Sequence, residues 1–203
     1  MIIIISETTT RINIGAIMSK SALLVIDIQN DYFPGGKLEL ERPLEAAENA
    51  RKVIDAFRSR GWPVIYFRHE QVRPGADFLL PDTWGNQIRE LVQPQEGDIV
   101  YPKHFPNAFK ETPLQAYLQE TGIQALVLTG MMTFMCVHGT VRAASDFGFQ
   151  CTVLHDATAA RAITFNGFEV PADHVQAAFH GALAFAYAEV ISTDAYLQRI
   201  SAI

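Results

Sequence analysis

The sequence predicts a single α/β domain with a doubly wound, Rossmann-like arrangement: a six-stranded parallel sheet with helices on both faces. Apolar runs of strand length alternate along the chain with segments whose apolar residues recur at helical spacing, which is typical of parallel sheets with right-handed crossovers. The runs are nearly continuous, as expected of strands buried on both faces. The 203 residues contain no repeat, low-complexity stretch or linker, which favours one domain.

The first half of the chain contributes two strands and one helix. The run SALLVID (21–27) ends in an acid and is predicted as the first strand. Residues 43–61 are predicted as a helix because they have helical apolar spacing, a proline at the start and a glycine at the end. PVIYFR (63–68) is the second predicted strand. The irregular segment 69–87 follows, and loops of this length are often lids or binding loops.

The middle of the chain contributes two further strands. DIVYPK (98–103) is the third predicted strand and QALVLTG (124–130) the fourth. Between them, residues 111–122 are predicted as a helix with Thr112 as its cap and Pro113 at its first position.

The last third alternates in the same way. Residues 134–148 are predicted as a helix that ends at a glycine, and QCTVLHDA (150–157) as the fifth strand. A helix over 171–188, a sixth strand over 189–193 and a capped helical turn over 193–200 complete the chain. The strongly apolar part of the 171–188 helix fits either a core position or a subunit contact.

The N-terminus is predicted to be an extension, residues 1–18, that precedes a domain over 19–203, because MSKSALLVIDIQ looks like a natural protein start. The opening run of four isoleucines is too short for the apolar region of a signal peptide and lacks a basic start. No segment reaches the roughly 18 apolar residues that span a bilayer. We therefore expect a cytoplasmic protein without a membrane partner.

Charge and cysteine content narrow the function classes further. Sixteen basic against 22 acidic residues give a net charge of −6 with no basic run, so we expect no nucleic-acid partner. The two cysteines, Cys136 and Cys151, are expected to be reduced in a cytoplasmic protein. Cys151 lies inside a predicted strand among apolar residues, where an inert buried thiol is expected.

Three chemically distinct residues fall at the ends of predicted strands. Asp27 ends the first strand, Lys103 ends the third, and Cys136 follows the fourth across a turn. Ligands bind beyond the carboxyl ends of the strands in such sheets, so these side chains should converge at one edge as an outline nucleophilic site. Each residue alone has a simpler explanation: Asp27 could be an acidic residue of a turn, Lys103 a solvated surface lysine, and Cys136 a small buried apolar residue. The interpretation depends on their coincidence.

The position of Cys136 suits a nucleophile. It lies near the start of a predicted helix, with Thr133 as a plausible cap, where free backbone N–H groups and the helix dipole favour negative charge. A nearby lysine ammonium should lower the thiol pKa further, and a carboxylate can accept the proton. The same N–H groups can hold an oxyanion once a carbonyl is attacked.

Three sequence blocks carry a family resemblance. They are VIDIQNDY (25–32), KHFPNAF (103–109) and TGMMTFMCVHGTVRAASDFGF (129–149). Together they resemble the isochorismatase-like cysteine hydrolases, whose relatives include nicotinamidases and N-carbamoylsarcosine amidase. The resemblance covers roughly residues 21–194, nearly the whole chain.

The resemblance implies a catalytic triad of Asp27, Lys103 and Cys136. It also implies a non-proline cis peptide bond between Met131 and Met132, which would turn the N–H of Met132, with that of Cys136, toward the oxyanion. Relatives are often dimers or larger, so a homo-oligomer is expected.

Two departures from the family pattern bear on substrate and metal. Asn107 stands where the family usually has a serine, so a local hydrogen bond is expected to differ from the family pattern. Nicotinamidases carry an Asp-x-His and further histidines after the second strand, whereas this chain offers only His69 and Glu70 there. We therefore expect neither a metal nor another cofactor, and not a nicotinamidase. His104 and His138, which flank triad residues, are expected to pack or lie at the surface.

The resulting hypothesis is a hydrolase that cleaves a C–N bond of amide type in a small molecule through a thioester. Isochorismatases of the family hydrolyse an enol ether without the cysteine nucleophile, so Cys136 favours acyl transfer. The alternatives are a hydrolase of an enol ether or cyclic imide at the same site, and a non-catalytic oligomeric protein that keeps the fold. Substrate contacts are expected from aromatic residues that suggest a flat or cyclic substrate: Phe33, Phe78, Trp84 and Phe109.

Overall fold

The computed structural model describes residues 20–202. The predicted N-terminal extension, residues 1–18, lies outside the described residues, and so do residues 19 and 203. The boundary between extension and domain therefore stays a prediction.

The described residues form the predicted α/β architecture around a six-stranded parallel sheet. Its strands, in chain order, are β1 (Ser21–Ile26), β2 (Val64–His69), β3 (Ile99–Lys103), β4 (Ala125–Met131), β5 (Gln150–Ala159) and β8 (Glu189–Ile191). Their spatial order is β3-β2-β1-β4-β5-β8, and every neighbouring pair is parallel. The fold class predicted from the alternating pattern is confirmed.

Within the described part of the chain, five α-helices connect or follow the strands: α1 (Pro43–Arg58), α2 (Leu114–Glu120), α3 (His138–Asp146), α4 (Ala172–Ala186) and α5 (Thr193–Ser201). Helix α2 begins later than predicted, because Thr112 donates its hydroxyl to Ala108 O and Pro113 takes the N-cap position. None of the helices within residues 20–202 is long and apolar enough to cross a bilayer.

The prediction missed a small antiparallel hairpin of β6 (Ile163–Phe165) and β7 (Phe168–Val170). Its strands are too short to show a periodic pattern. Its turn, however, is Asn166-Gly167 with positive φ at both residues, which is a strong local hairpin signal.

The environment of strand β1 explains why five of its six residues are apolar. Leu23 and Val25 pack into a core that contains α1, whereas Leu24 and Ile26 pack into a second core on the opposite face of the sheet. All six residues of the strand are buried. Because successive side chains alternate between faces, a strand covered on both faces buries every side chain, and apolar residues predominate.

The strand order reverses between β1 and β4, and this is the crevice in which open α/β sheets bind ligands. Gly130 permits the close approach of the two strands there. Its φ is +124°, and a Cβ built on it would lie 1.9 Å from Ile26 O.

Candidate active site

The structure brings the three predicted reactive residues together at the carboxyl edge of the sheet. Asp27 follows β1 with a left-handed φ of 51°, Lys103 is the last residue of β3, and Cys136 lies in a turn after β4. The side chains of Asp27 and Lys103 are wholly excluded from solvent, and their Oδ2 and Nζ atoms are 2.7 Å apart. Cys136 is also buried, with 5% of its surface exposed.

The Lys103 ammonium has two further acceptors besides Asp27. Nζ lies 3.0 Å from His69 Nδ1 and donates to Phe105 O at 3.1 Å. An ammonium has three N–H donors, so each is matched by an acceptor. The lysine is thus fixed in position by the groups around it.

His69 is the site residue that the sequence argument did not assign. It ends β2 and pairs in register with Lys103, so the strand-end rule would have indicated it if applied to the second strand as well. Its backbone N–H donates to Gln29 Oε1 at 2.8 Å, and its carbonyl accepts from Asn86 Nδ2 at 2.7 Å. His69, Asp27 and Cys136 each place a side-chain N, O or S atom within 4.8 Å of the other two.

Burial and the neighbouring charges act against each other on both pKa values of the pair. Burial raises the pKa of Asp27, and the Lys103 charge and hydrogen bond work against that shift. Burial alone would lower the pKa of Lys103, but Asp27 and Cys136 outweigh it, and the lysine pKa is raised. Burial, followed by the Lys103 charge, lowers the pKa of His69 to about 3. His69 is therefore a neutral imidazole at physiological pH.

The thiol pKa moves opposite to the expectation. Burial raises the pKa of Cys136, Asp27 raises it further, and the opposing effect of Lys103 does not compensate. The expectation that the lysine holds this pKa below its ordinary value is wrong, because burial and the Asp27 charge together outweigh the ammonium. The resting thiol is protonated.

The turn that carries Cys136 is π-helical, Thr133–Val137, and helix α3 begins only at His138. The expectation that Thr133 caps the helix is wrong, because its hydroxyl donates to Ala159 O at 3.0 Å. Thr133 thereby ties the cysteine turn to the end of β5.

The peptide bond between Met131 and Met132 is cis, at the position that the resemblance implied. The Met132 carbonyl accepts from the N–H groups of Met135, at 3.0 Å, and Val137, at 3.3 Å. The Met132 N–H has no hydrogen-bond acceptor among residues 20–202. It is free to donate to a ligand.

A cavity of about 100 Å³ reaches the thiol. Its lining residues come from the loop after β1, from the 69–87 segment, from the loop after β3 and from the cysteine turn: Tyr32, His69, Gln71, Arg73, Phe78, His104, Pro106, Met132, Met135 and Cys136. His104, expected to pack or lie at the surface, is among them. His138 instead packs edge-on against Phe179.

Only one of the four aromatic residues expected to contact substrate lines this cavity, namely Phe78. Phe33 is fully buried in the core, where the Arg89 guanidinium lies over its ring. Phe109 is buried against Phe147 and Phe149. Trp84 is 51% exposed on the long loop. These three rings do not line the cavity. Aromatic composition does not reveal which side of an element a ring occupies.

Buried polar residues just after Asp27 hold the 69–87 segment against the sheet. Asn30 Nδ2 donates to Trp84 O at 3.0 Å, and Asp31 Oδ2 accepts from Leu79 N at 2.6 Å. Gln29 adds bonds to the carbonyls of His69 and Asn86. The polar run of the first block thus shapes the cavity by fixing the loop that lines it.

By composition, Asp27, His69 and Cys136 could hold a metal ion. In this structure Lys103 occupies the position between the first two, within hydrogen-bond distance of both. Their electron pairs are directed at an ammonium. That no metal is needed stays a prediction.

Comparisons with known proteins identify the family and the fold. A family model described as the isochorismatase domain matches residues 21–195. The chain is 46% identical over 178 residues to an uncharacterized isochorismatase family protein of Bacillus subtilis, covering 88% of this chain and 99% of that protein. Among solved structures it is similar to a protein of Oleispira antarctica assigned to the isochorismatase hydrolases, with 44% identity and a TM-score of 0.85 over 89% of this chain and 97% of that one. It is also similar to N-carbamoylsarcosine amidase from Thermoplasma acidophilum, with 29% identity and a TM-score of 0.73 over 86% and 97% of the two chains.

Proposed function

The chain belongs to the isochorismatase family, whose members are hydrolases, and on that premise we propose that it cleaves a C–N bond of amide type through a thioester on Cys136. The observation that carries the proposal is the buried ion pair of Asp27 and Lys103 beside a thiol that opens on a cavity. A buried ion pair is costly to desolvate, which favours a functional reason for its presence.

In the first half of the reaction, Asp27 accepts the Cys136 proton as the sulfur attacks the substrate carbonyl. The raised thiol pKa means that thiolate does not accumulate at neutral pH, so proton transfer accompanies attack. The free N–H of Met132, with that of Cys136, stabilises the oxyanion. Lys103 keeps Asp27 ionised until the proton arrives and then balances the charge on sulfur and oxygen.

Collapse of the tetrahedral intermediate breaks the C–N bond. Asp27 returns its proton to the leaving nitrogen, which departs as ammonia or an amine, and the acyl group remains on sulfur. Asp27 next takes a proton from water, which attacks the thioester. Release of the carboxylic acid returns the proton to Cys136, so the enzyme ends as it began.

The chain provides a matched control for the nucleophile in Cys151. It is also a buried free thiol, and burial raises its pKa to about 12, but its only hydrogen-bond acceptors among residues 20–202 are the carbonyls of Val141 and Phe149. Its surroundings therefore provide neither the acid nor the lysine that flank Cys136.

The test is to screen small amides, N-carbamoylsarcosine among them, for ammonia or amine release, and to quench active mixtures in acid for intact-mass analysis. We expect an acyl adduct on wild type and on Cys151→Ser, and neither adduct nor turnover with Cys136→Ala. Enol ether cleavage that survives in Cys136→Ala would instead support a non-covalent hydrolase. Absence of turnover, with equal alkylation of both thiols, would support a binding protein.

A further inference from the structure

His69 lies at the wall of the cavity without a role in the reaction proposed above. It is 5% exposed and lines the cavity, and its Nδ1 lies 3.0 Å from Lys103 Nζ. No described residue hydrogen-bonds to its other ring nitrogen, Nε2. Nδ1 therefore has a partner in Lys103, whereas Nε2 has none among the described residues.

We propose that His69 is a substrate-binding residue whose Nε2–H donates to a second acceptor on the substrate, next to the scissile carbonyl. The proposal rests on the proposed function and names the substrate class of the same site: small amides that carry another carbonyl or carboxylate oxygen adjacent to the amide carbon. In such a substrate the two oxygens meet different donors, the backbone N–H of Met132 and the imidazole of His69.

Lys103 fixes which nitrogen of His69 carries the proton. An ammonium only donates, so Nδ1 must accept, and a neutral imidazole then has its proton on Nε2. Burial and the lysine charge keep the ring neutral, as the pKa of about 3 indicates. The backbone bonds to Gln29 and Asn86 hold the residue in place. The donor is thus fixed before a ligand arrives.

The other cavity residues fit an acceptor-bearing ligand. Among the described residues that line it, none is Asp or Glu, whereas Tyr32, Gln71 and Arg73 add donors. Arg73 forms no ion pair with a described residue. The cavity volume of about 100 Å³ indicates a small substrate.

The distance to sulfur limits where the second acceptor can lie. One ring nitrogen of His69 is within 4.8 Å of Cys136 Sγ. A carbonyl carbon attacked by that sulfur brings the atoms bonded to it next to the imidazole. An oxygen on the adjacent carbon is therefore within reach, whereas an acceptor several bonds away would extend toward the mouth of the cavity.

The test uses pyruvamide and propanamide, which differ only by a carbonyl oxygen in place of two hydrogens. Binding is followed by ¹⁵N NMR of the histidine rings in the Cys136→Ala variant, so that neither amide is turned over. We expect His69 to show the Nε2–H tautomer from pH 5.5 to 8, and its Nε2 signal to shift saturably with pyruvamide. One hydrogen bond should make pyruvamide bind roughly fivefold to tenfold more tightly than propanamide.

Two substitutions at position 69, each added to Cys136→Ala, separate donation to the ligand from support of Lys103. His69→Asn can still offer Lys103 an oxygen but is too short to reach the ligand, and His69→Phe keeps the ring without either nitrogen. Both should bind the two amides equally. The proposal is overturned if the proton sits on Nδ1, if the parent variant binds the two amides equally or binds neither, or if His69→Phe still discriminates. None of these results depends on acyl-enzyme formation in the wild type. Failure of this proposal is therefore distinguishable from failure of the proposed function, which is tested by acyl-adduct formation and turnover.

Discussion

Lys103 Nζ lies 2.7 Å from Asp27 Oδ2 in a region where both side chains have no exposed surface. The two residues end β3 and follow β1, strands separated in the sheet by β2. Each charge compensates for burial of the other, and each moves the pKa of Cys136 in the opposite direction. Removing either one should therefore have distinct effects on stability and on the thiol.

Replacing the lysine alone should be costly to stability. Lys103→Met leaves a buried carboxylate without its cation, and we expect a loss of about 3–5 kcal/mol in the free energy of unfolding at pH 7. The double variant Asp27→Asn/Lys103→Met buries no charge and should recover much of that loss. Urea unfolding of wild type and the single and double variants measures both values. If the Lys103→Met and double variants lose the same free energy of unfolding, the loss does not come from leaving the Asp27 carboxylate buried without its cation.

Replacing the aspartate should separate thiol reactivity from catalysis. In Asp27→Asn the Lys103 charge is no longer balanced, so the pKa of Cys136 should fall and alkylation by iodoacetamide at pH 7 should accelerate. Amide hydrolysis should fall by roughly 10²–10⁴-fold, because the proton carrier is lost. Alkylation rates from pH 6 to 10, read by intact mass, test the first expectation, with Cys151→Ser identifying the site. A parallel fall in alkylation and hydrolysis would contradict this assignment.

The convergence of these groups was predictable because it follows from topology. Parallel strands buried on both faces are recognisable as apolar runs, and residues at their carboxyl ends must share an edge. That reasoning identified Asp27, Lys103 and Cys136. It would have found His69 as well, had it been applied to the end of β2.

Properties that depend on side-chain direction or depth were not predictable. Phe33 and Phe109 pack into the two cores and do not line the cavity. Residue spacing in a loop does not show the direction in which a side chain points. The sign of the Cys136 pKa shift depends on a balance between burial and two opposing charges, and the burial of a residue in an irregular turn cannot be read from the sequence. Helix α4 illustrates the same limit. Its apolar composition did not distinguish a core helix from a subunit contact, and in the structure Phe185 is 92% exposed.

His69 should make the fold sensitive to acid. Its pKa of about 3 in the folded state lies below the 6.5 of an unperturbed histidine, so the unfolded chain binds a proton first as pH falls. Stability should therefore decrease below pH 6.5, by up to about 1.4 kcal/mol per pH unit from this residue. His69→Asn should lack this contribution. Urea unfolding at intervals from pH 7 to 4 measures the difference in slope, and parallel curves for the two proteins would count against a buried neutral imidazole. The raised pKa of Asp27 acts in the opposite direction in both proteins and cancels in the comparison.

Asp31 should control the mobility of the 69–87 segment. Its carboxylate accepts from the N–H groups of Leu79 and Lys37. Asp31→Asn keeps the shape but loses one acceptor, which should cost about 1–3 kcal/mol and speed hydrogen exchange within 69–87. Asp77→Asn is the control, since Asp77 is exposed on the same segment. Hydrogen exchange read by mass spectrometry should show faster exchange only in Asp31→Asn. Unchanged exchange would mean that Asn30 and Gln29 suffice to hold the loop.

Gly130 should be intolerant of even one added methyl group, and the chain offers a control that isolates the reason. An alanine Cβ there would lie 1.9 Å from Ile26 O, between β1 and β4 at the crevice, at a φ of +124°. Gly148 also has a positive φ, +88°, but has open space around it. Gly148→Ala should therefore cost only the backbone penalty, about 1–2 kcal/mol.

Gly130→Ala must also separate β1 from β4, and we expect it to lose about 4 kcal/mol or more, or to fail to fold. Soluble yield and urea midpoints distinguish the two variants. Similar losses at both glycines would show that backbone conformation, rather than the contact with Ile26, is what requires glycine at the crevice.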